Sequence, residues 1–219
     1  MRRPLPITAP ATIWFLVASL AVPPALAQGP AIALSPVATP YGLSDPAPVR
    51  AIFDSLITVA LGKAGYRVVP ASEAGTLWRR LVDSVQGFYD PITGEIVEAK
   101  YRAVHDGVLR QLVARFGVQL WLRPSIEILH VDFEGGKVVW DETSERVGGS
   151  GGSLPAFSLV VAVEDSAGVE TASGRGGIQL AAKEPGKPVA REKLFRDDDR
   201  NRKAVERALA PLLSGRPRP

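Results

Sequence analysis

The sequence predicts a single α/β domain, bordering on the α+β class, with a mixed sheet, helices packed on it and an antiparallel C-terminal half. Two observations support this fold class. As far as residue 117, short apolar runs alternate with segments whose apolar residues recur at helical spacing, which is typical of layered α/β units. After residue 118, turn signals separate runs rich in β-branched residues, and this pattern favours β-hairpins. We expect the domain to span residues 28–213.

The first half of the domain is predicted to contain two strands and three helices. Asp45 is the predicted capping residue of the first helix, and Pro46 after it favours the first helical turn. Gly65 and Gly117 are typical helix stops. In chain order, the predicted elements are a strand at residues 31–38, a helix from Pro46 to about Gly65, a strand at residues 66–69, a helix from Ser72 to about Gly87, and a helix from about Glu98 to Phe116.

The second half is predicted to be mainly antiparallel. The segments 134–137 and 165–168 are hairpin turn signals because each combines glycine with polar residues. The segment Gly174-Arg175-Gly176-Gly177 is predicted to form a turn or bulge, with an anion contact through Arg175 as the functional alternative. The other predicted elements are strands at residues 118–133, 137–142, 157–164, 169–172 and 178–181, a flexible segment at residues 148–153, a loop at residues 183–193, and a final helix after Asp197-Asp198-Asp199.

The N-terminus has the three-part layout of a secretory signal peptide. Arg2 and Arg3 form a positive region, residues 11–22 an uncharged apolar core, and Ala25-Leu26-Ala27 a cleavage site with small residues at both ends. The apolar run has 12 residues, fewer than the ~20 that a membrane-spanning helix needs. We therefore expect cleavage after Ala27 to remove residues 1–27. The expected location of the mature chain is the bacterial periplasm, with the extracellular medium as the alternative.

Composition excludes several classes of site and partner. The chain has no cysteine, and therefore has no disulfide, no thiol nucleophile and no cysteine for a lipid anchor. Its formal net charge is +3, and removal of Arg2 and Arg3 would lower that charge to +1, which argues against a nucleic-acid partner. Residues 214–219, in which arginine alternates with proline, are expected to form a disordered basic tail. No later apolar run is long enough to predict a transmembrane helix.

Three strings in the sequence resemble those of one superfamily of bacterial envelope proteins. They are LGKAGYRVVP at residues 61–70, FGVQLWL at residues 116–122 and SLVVAVEDSAG at residues 158–168. The superfamily includes the amino-terminal domain of TolB, the curli-pore protein CsgG, the penicillin-binding-protein activator lipoproteins and small putative lipoproteins of unknown function. The resemblance spans residues 30–213 and implies an α/β fold that acts by protein–protein contact in the envelope. This chain differs from many of these relatives because it has no cysteine to acylate.

One pair of residues suggests a metal or general-base site. His130 and Asp132 alternate along a predicted strand and therefore point to the same face of the sheet. Glu134, Asp141 and Glu142 lie on or near the same hairpin. The structural alternative is an exposed sheet face that carries charges and one histidine. His105 and Asp106 are neighbours on a predicted helix, and we expect them to lie on its solvated face.

Aromatic residues are the better candidates for binding. Trp121 lies in an apolar strand and is expected in the core, whereas Trp78, Tyr89 and Trp140 would each suit a protein contact if exposed. Burial is the structural alternative for each tryptophan, because large aromatic side chains are mostly buried. With Arg175, these three residues form the predicted binding set.

The sequence thus predicts a non-catalytic periplasmic interaction module that serves envelope assembly or maintenance and uses no cofactor. Its expected partner is an envelope protein or a second copy of itself. Two alternatives remain open. One is an exported hydrolase, assisted by a metal at His130 and Asp132, and the other is a periplasmic small-molecule binder with a large apolar pocket.

Overall fold

A computed structural model describes residues 29–43, 45–184 and 186–214 of the chain. The predicted signal peptide, its cleavage site and residues 215–219 of the predicted basic tail lie outside the described residues. Ser214 belongs to the last helix. None of the described helices is both long enough and apolar enough to cross a membrane.

The described chain has four α-helices and nine strands, and it confirms the α/β fold class. In chain order, these are β1 (Ala31–Leu34), α1 (Pro46–Lys63), β2 (Arg67–Val69), α2 (Ala71–Ser84), α3 (Glu98–Phe116), β3 (Leu120–Glu134), β4 (Lys137–Trp140), β5 (Thr143–Arg146), β6 (Gly151–Asp165), β7 (Glu170–Leu180), β8 (Ala182–Glu184), β9 (Lys187–Pro188) and α4 (Asp198–Ser214), with a 3₁₀ turn at Arg191–Lys193 before α4.

The main sheet joins a parallel half to an antiparallel half. β1 lies between β2 and the start of β3, and it pairs in parallel with both. β3 then pairs antiparallel with β6 along its whole length, and β6 pairs with β7. The end of β3 also pairs with β4, which forms a hairpin with β5. The predicted mixed sheet with an antiparallel second half is therefore confirmed.

Successive side chains of each strand point to opposite faces of the sheet. Both faces carry apolar side chains, and helices cover both. Ile32 and Leu34 pack with α1 and α4 on one face. Ala33 and Trp121 pack with α2 and α3 on the opposite face. A third cluster, which includes Trp140, fills the space between the β4–β5 hairpin and the far ends of β3, β6 and β7.

The turn predicted at residues 174–177 is wrong, because β7 runs through these residues. The pairing of β7 with β6 is irregular directly after Gly177, since Gly177 and Gln179 pair with the consecutive residues Ser158 and Phe157. The strands predicted at residues 169–172 and 178–181 are accordingly parts of one strand. Two of the glycines in this segment are required by packing rather than by a turn. An added Cβ on Gly174 or Gly176 would lie 2.1 Å from a carbonyl oxygen of α4. Glycine in β7 therefore allows the helix backbone to approach the strand closely.

Three further predictions in the second half need correction. Gly151 and Gly152, in the segment predicted to be flexible, begin β6 and pair with Glu134 and Phe133. A Cβ on Gly152 would lie 3.2 Å from the Phe133 ring, so this glycine makes room for an aromatic side chain. No strand is predicted where β5 lies, and the loop predicted at residues 183–193 contains most of the β8–β9 hairpin. In addition, Asp45 precedes α1 but makes no side-chain capping bond.

The close approach of α4 to β7 leads to a first prediction. Gly176→Ala should lower the free energy of unfolding by about 1–3 kcal/mol, because α4 must shift to admit the methyl group. Gly62→Ala is the matched control, since the space around Gly62 on α1 is open. It should leave stability unchanged or raise it by up to ~1 kcal/mol, because alanine favours helix. Urea unfolding measures both variants, and equal stability of the two would contradict the packing described.

Candidate functional site

Four polar side chains meet where α3 crosses β3 and β6. Glu164 accepts a hydrogen bond from Arg123 Nη1 at 2.5 Å, and its second oxygen lies 2.8 Å from Nε2 of His105. Arg123 also donates from Nη2 to the hydroxyl of Tyr101 at 3.0 Å. The Glu164 and His105 side chains are only 9% and 12% exposed. We call Tyr101, His105, Arg123 and Glu164 the buried charge cluster.

The electrostatics of the cluster favour a protonated histidine beside an ionised glutamate. The hydrogen bond to Glu164 raises the pKa of His105 above its ordinary value, against the opposing effect of burial. Burial alone would raise the pKa of Glu164, but the hydrogen bond with His105 and the charge of Arg123 outweigh it and hold that pKa below its ordinary value. The Nδ1 atom of His105 lies 3.2 Å from a carboxylate oxygen of Asp106. Both ring nitrogens thus face carboxylates, an arrangement that suits the imidazolium form.

A chain of aromatic contacts leads outward from this cluster. The ring of His105 lies 5.0 Å from that of Trp121 and stacks on Tyr101 at 6.3 Å. Tyr101 meets Phe88 edge to face at 5.5 Å, and Trp78 contacts both rings at about 6 Å. Such edge-to-face pairs are favourable beyond the area that they bury. Through Phe88, these contacts attach the segment that follows α2 to α2 and α3.

Residues 88–97, which we call the apolar loop, connect α2 to α3 and are held by their own hydrogen bonds. The amide of Val97 donates to the carbonyl of Phe88 at 2.7 Å, and that of Asp90 donates to the carbonyl of Glu95 at 2.8 Å. The Asp90 carboxylate accepts from the amides of Thr93 and Ile92 at 3.0 and 2.8 Å. These two amides hold the pKa of Asp90 below its ordinary value. The loop therefore has an ordered conformation of its own.

The apolar loop exposes three large apolar side chains from this ordered backbone. Tyr89 is 58% exposed, Ile92 is 93% exposed and Ile96 is 50% exposed. Tyr89 and Ile96 face each other across an isolated β-bridge. Single exposed apolar residues are common on proteins, but these three lie on one loop whose backbone is held by hydrogen bonds.

A groove of about 790 Å³ lies beside the cluster, between α2 and the sheet. Its lining combines the aromatic rings of Trp78 and Tyr101 with the small apolar side chains of Val160 and Ala162 on β6. Arg123 and Glu164 also line it but are already paired with each other. The small-molecule alternative would use this groove, and it stays a prediction.

The structure brings together two of the four predicted binding residues. Trp78 is half-buried beneath the apolar loop, and Tyr89 is exposed on that loop. Trp140 lies at the other end of the sheet and is only 5% exposed, so it is not available for the protein contact that would require its exposure. Arg175 is exposed but pairs with Glu127 at 3.1 Å and with Asp141 at 3.3 Å. Trp121 lies in the core, as predicted.

The two histidines differ in their surroundings. His130 and Asp132 are both exposed, on either side of buried Val131, and no group of three or more histidine, aspartate or glutamate residues able to hold a metal occurs among the described residues. His105, which was expected on a solvated helix face, is instead buried against Glu164. The partners are 59 residues apart in sequence, and no local pattern connects them.

Comparison with known proteins gives a limited result. No protein-family model matches the chain, and no curated protein is significantly similar to it. Two solved structures of the PelC dodecamer from Paraburkholderia phytofirmans resemble it, one of them a single-residue variant. Their chains are 13% and 12% identical to this one, with TM-scores of 0.37 and 0.38, and the matches cover 88% and 89% of this chain and 94% of each PelC chain. Values this low carry no argument about function.

The buried charge cluster leads to a second prediction, on the pH dependence of stability. The pKa of His105 is raised in the folded state. The contribution of His105 to the free energy of unfolding is therefore fully present at pH values below the pKa of the unfolded state, and it is lost as the pH rises through the pKa of the folded state. The difference in unfolding free energy between the wild type and His105→Gln should therefore be larger at about pH 6 than at about pH 9. Urea unfolding at both pH values measures this difference.

His130→Gln is the matched control, because it removes the other histidine, which lies on an exposed position of β3. A difference for His105→Gln that does not fall between these pH values would contradict a raised pKa of His105 in the folded state. In acid, the contribution of Glu164 to the free energy of unfolding should be lost as the pH falls through the lowered pKa of this carboxyl group.

Proposed function

We propose that this chain is an exported, non-catalytic interaction module of the bacterial cell envelope, and that it contacts its partner through the apolar loop. The observation that carries the proposal is the exposure of Tyr89, Ile92 and Ile96 on a loop fixed by hydrogen bonds. Such a surface is ordered before binding. It therefore loses little conformational entropy when a partner covers it.

Aromatic support from beneath strengthens this proposal. Phe88 anchors the loop to Trp78 and Tyr101, and Tyr101 is in turn bound to Arg123. These contacts therefore hold the base of the loop against α2 and α3. Tyrosine is enriched among residues that dominate binding energy at protein interfaces.

The chemistry of the buried charge cluster supports a structural role better than a catalytic one. Arg123, His105 and Glu164 direct their polar atoms at one another, at Tyr101 and at Asp106. A general acid or base in an active site has to reach a substrate proton instead. His130 and Asp132 are exposed, and among the described residues they belong to no group of three or more side chains able to hold a metal, which gives the metal-assisted hydrolase alternative no support.

The envelope location rests on sequence. The layout of residues 1–27 supports export, and the resemblance of residues 61–70, 116–122 and 158–168 to envelope proteins supports a role in assembly or maintenance of the envelope. Both remain parts of the proposal.

Site-specific photo-crosslinking in the native envelope tests the proposal. A photoreactive amino acid in place of Ile92 should capture a specific protein, because this side chain is the most exposed of the three on the loop. Val59 on α1 is the matched control, since it is an exposed β-branched residue away from the loop and is 52% exposed. Absence of a product at residue 92, or the same products at both positions, would contradict a partner at the loop.

A further inference from the structure

The strand order of the parallel half of the sheet reverses at β1. From β1 the chain passes through α1 to β2 on one side, and from β2 it passes through α2 and α3 to β3 on the other side of β1. α1 packs on one face of the sheet, whereas α2 and α3 pack on the opposite face. In open α/β sheets, ligands bind in the crevice outside the carboxyl ends of the strands at such a reversal.

The groove of about 790 Å³ lies at this reversal. Residues 35–38, which directly follow β1, line it, and α2, which directly follows β2, contributes Ser72 and Gly75 from its first turns. We call this groove the switch-point groove. Its volume falls within the range of roughly 300–1,000 Å³ that is typical of small-molecule sites.

Aromatic and small apolar side chains give the switch-point groove a surface for the body of a ligand. Trp78 and Tyr101 are half-buried, and their ring centroids lie 5.9 Å apart. Both line the groove, and the sheet contributes Val160 and Ala162 from β6. Ligand sites are mostly apolar in this way, with a small number of polar groups that fix the orientation of the ligand.

Two arginines supply such polar groups. Arg50 from α1 and Arg79 from α2 both line the groove. Each guanidinium group donates one hydrogen bond to a neutral acceptor, the hydroxyl of Thr39 at 3.2 Å and that of Thr76 at 3.5 Å, and neither forms an ion pair with a described residue. A guanidinium group carries five N–H donors. Most of the donors of both arginines therefore remain available to an acidic group from outside the chain.

The carboxylates near these arginines are mostly engaged elsewhere. Of those that line the groove, Glu127 pairs with Arg175 at 3.1 Å, and Glu164 pairs with the other members of the buried charge cluster. Glu170, at the start of β7, has no ion pair with a described residue. Asp54, on which the charge of Arg50 acts, lies outside the lining and accepts from the amide of Val37 at 3.1 Å. In the groove itself, two unpaired guanidinium groups therefore outnumber one unpaired carboxylate.

From these observations we infer that the switch-point groove binds a small organic anion with an apolar body. The body lies against Trp78 and Tyr101, and Arg50 and Arg79 bind the acidic group. Charge-assisted hydrogen bonds from arginine to an acidic group are roughly twice as strong as bonds between neutral groups. No residue of the apolar loop lines the groove. The inference therefore goes beyond the proposed function and does not depend on it.

Fluorescence titration of the purified chain with two matched dyes tests this inference. Anilinonaphthalene sulfonate is an aromatic anion, and phenylnaphthylamine is the same molecule without the sulfonate group. The wild type should bind the sulfonate saturably and at least ~10-fold more tightly than the neutral dye. The double variant Arg50→Gln/Arg79→Gln should lose this preference and keep its affinity for the neutral dye. Arg80→Gln is the matched control, because Arg80 is exposed on α2 but does not line the groove.

Two further variants locate the bound dye. Ala162→Leu narrows the groove from the sheet and should weaken binding of both dyes at least ~10-fold. Ile92→Asp removes an exposed apolar side chain from the apolar loop and should leave both affinities unchanged. Because the sulfonate also binds partly folded proteins, near-ultraviolet circular dichroism has to show native packing in each variant.

Three results would overturn the inference. They are a folded wild type that does not bind the sulfonate saturably, binding that Ala162→Leu leaves unchanged, and equal affinity for the two dyes. None of these results bears on the apolar loop, since crosslinking at residue 92 tests the proposed function separately. A chain that crosslinks at residue 92 but binds no sulfonate would keep the interaction module and lose the ligand site.

Discussion

The antiparallel pairing of β3 with β6 is the constraint on which the rest of the structure depends. It extends over all 15 residues of each strand, from Leu120 opposite Asp165 to Glu134 opposite Gly151. The start of β3 continues the parallel half of the sheet, and its end carries the β4–β5 hairpin. One ladder therefore joins both halves of the domain into one sheet.

The register of this ladder places the buried charge cluster. It sets Trp121 opposite Glu164, and Arg123 follows Trp121 on the same face of the sheet. A slip by one residue would turn the Glu164 carboxylate toward α1 and α4, where the packing is apolar. Burial of an unpaired carboxylate there costs several kcal/mol by an order-of-magnitude estimate. The cluster thus opposes alternative registers as well as fastening α3 to the sheet.

A continuous series of contacts connects the β3–β6 pairing to the apolar loop. Glu164 holds His105 and Arg123, and Arg123 binds Tyr101, whose ring packs against Phe88 at the base of the loop. The proposed function depends on this sequence of contacts, because an exposed apolar loop without support would lose conformational entropy on binding. In the proposed function, the buried charge cluster therefore positions the apolar loop and takes no part in a reaction.

The sequence predicts those features whose signals are local. The third helix has its predicted bounds, Glu98–Phe116, because a left-handed glycine at residue 117 ends it, and the turn at Gly135–Gly136 is where the hairpin signal placed it. Tyr89 and Trp78 were candidates on residue type alone. In contrast, the pairing of His105 with Glu164 and the close contact of α4 with β7 depend on tertiary structure. Glycines that make room for a helix look like turn signals in a sequence, and this explains the wrongly predicted turn at residues 174–177.

The most direct test of the account is hydrogen exchange of the apolar loop with and without its aromatic support. In the wild type, the hydrogen-bonded amides of Asp90, Gly94 and Val97 should exchange slowly. Trp78→Ala, which removes one ring beneath Phe88, should accelerate their exchange at least ~10-fold while amides in the β3–β6 ladder stay protected. Loop amides that exchange at the rate of an unfolded peptide in the wild type, or that are unaffected by Trp78→Ala, would contradict a loop held in place by the structure beneath it.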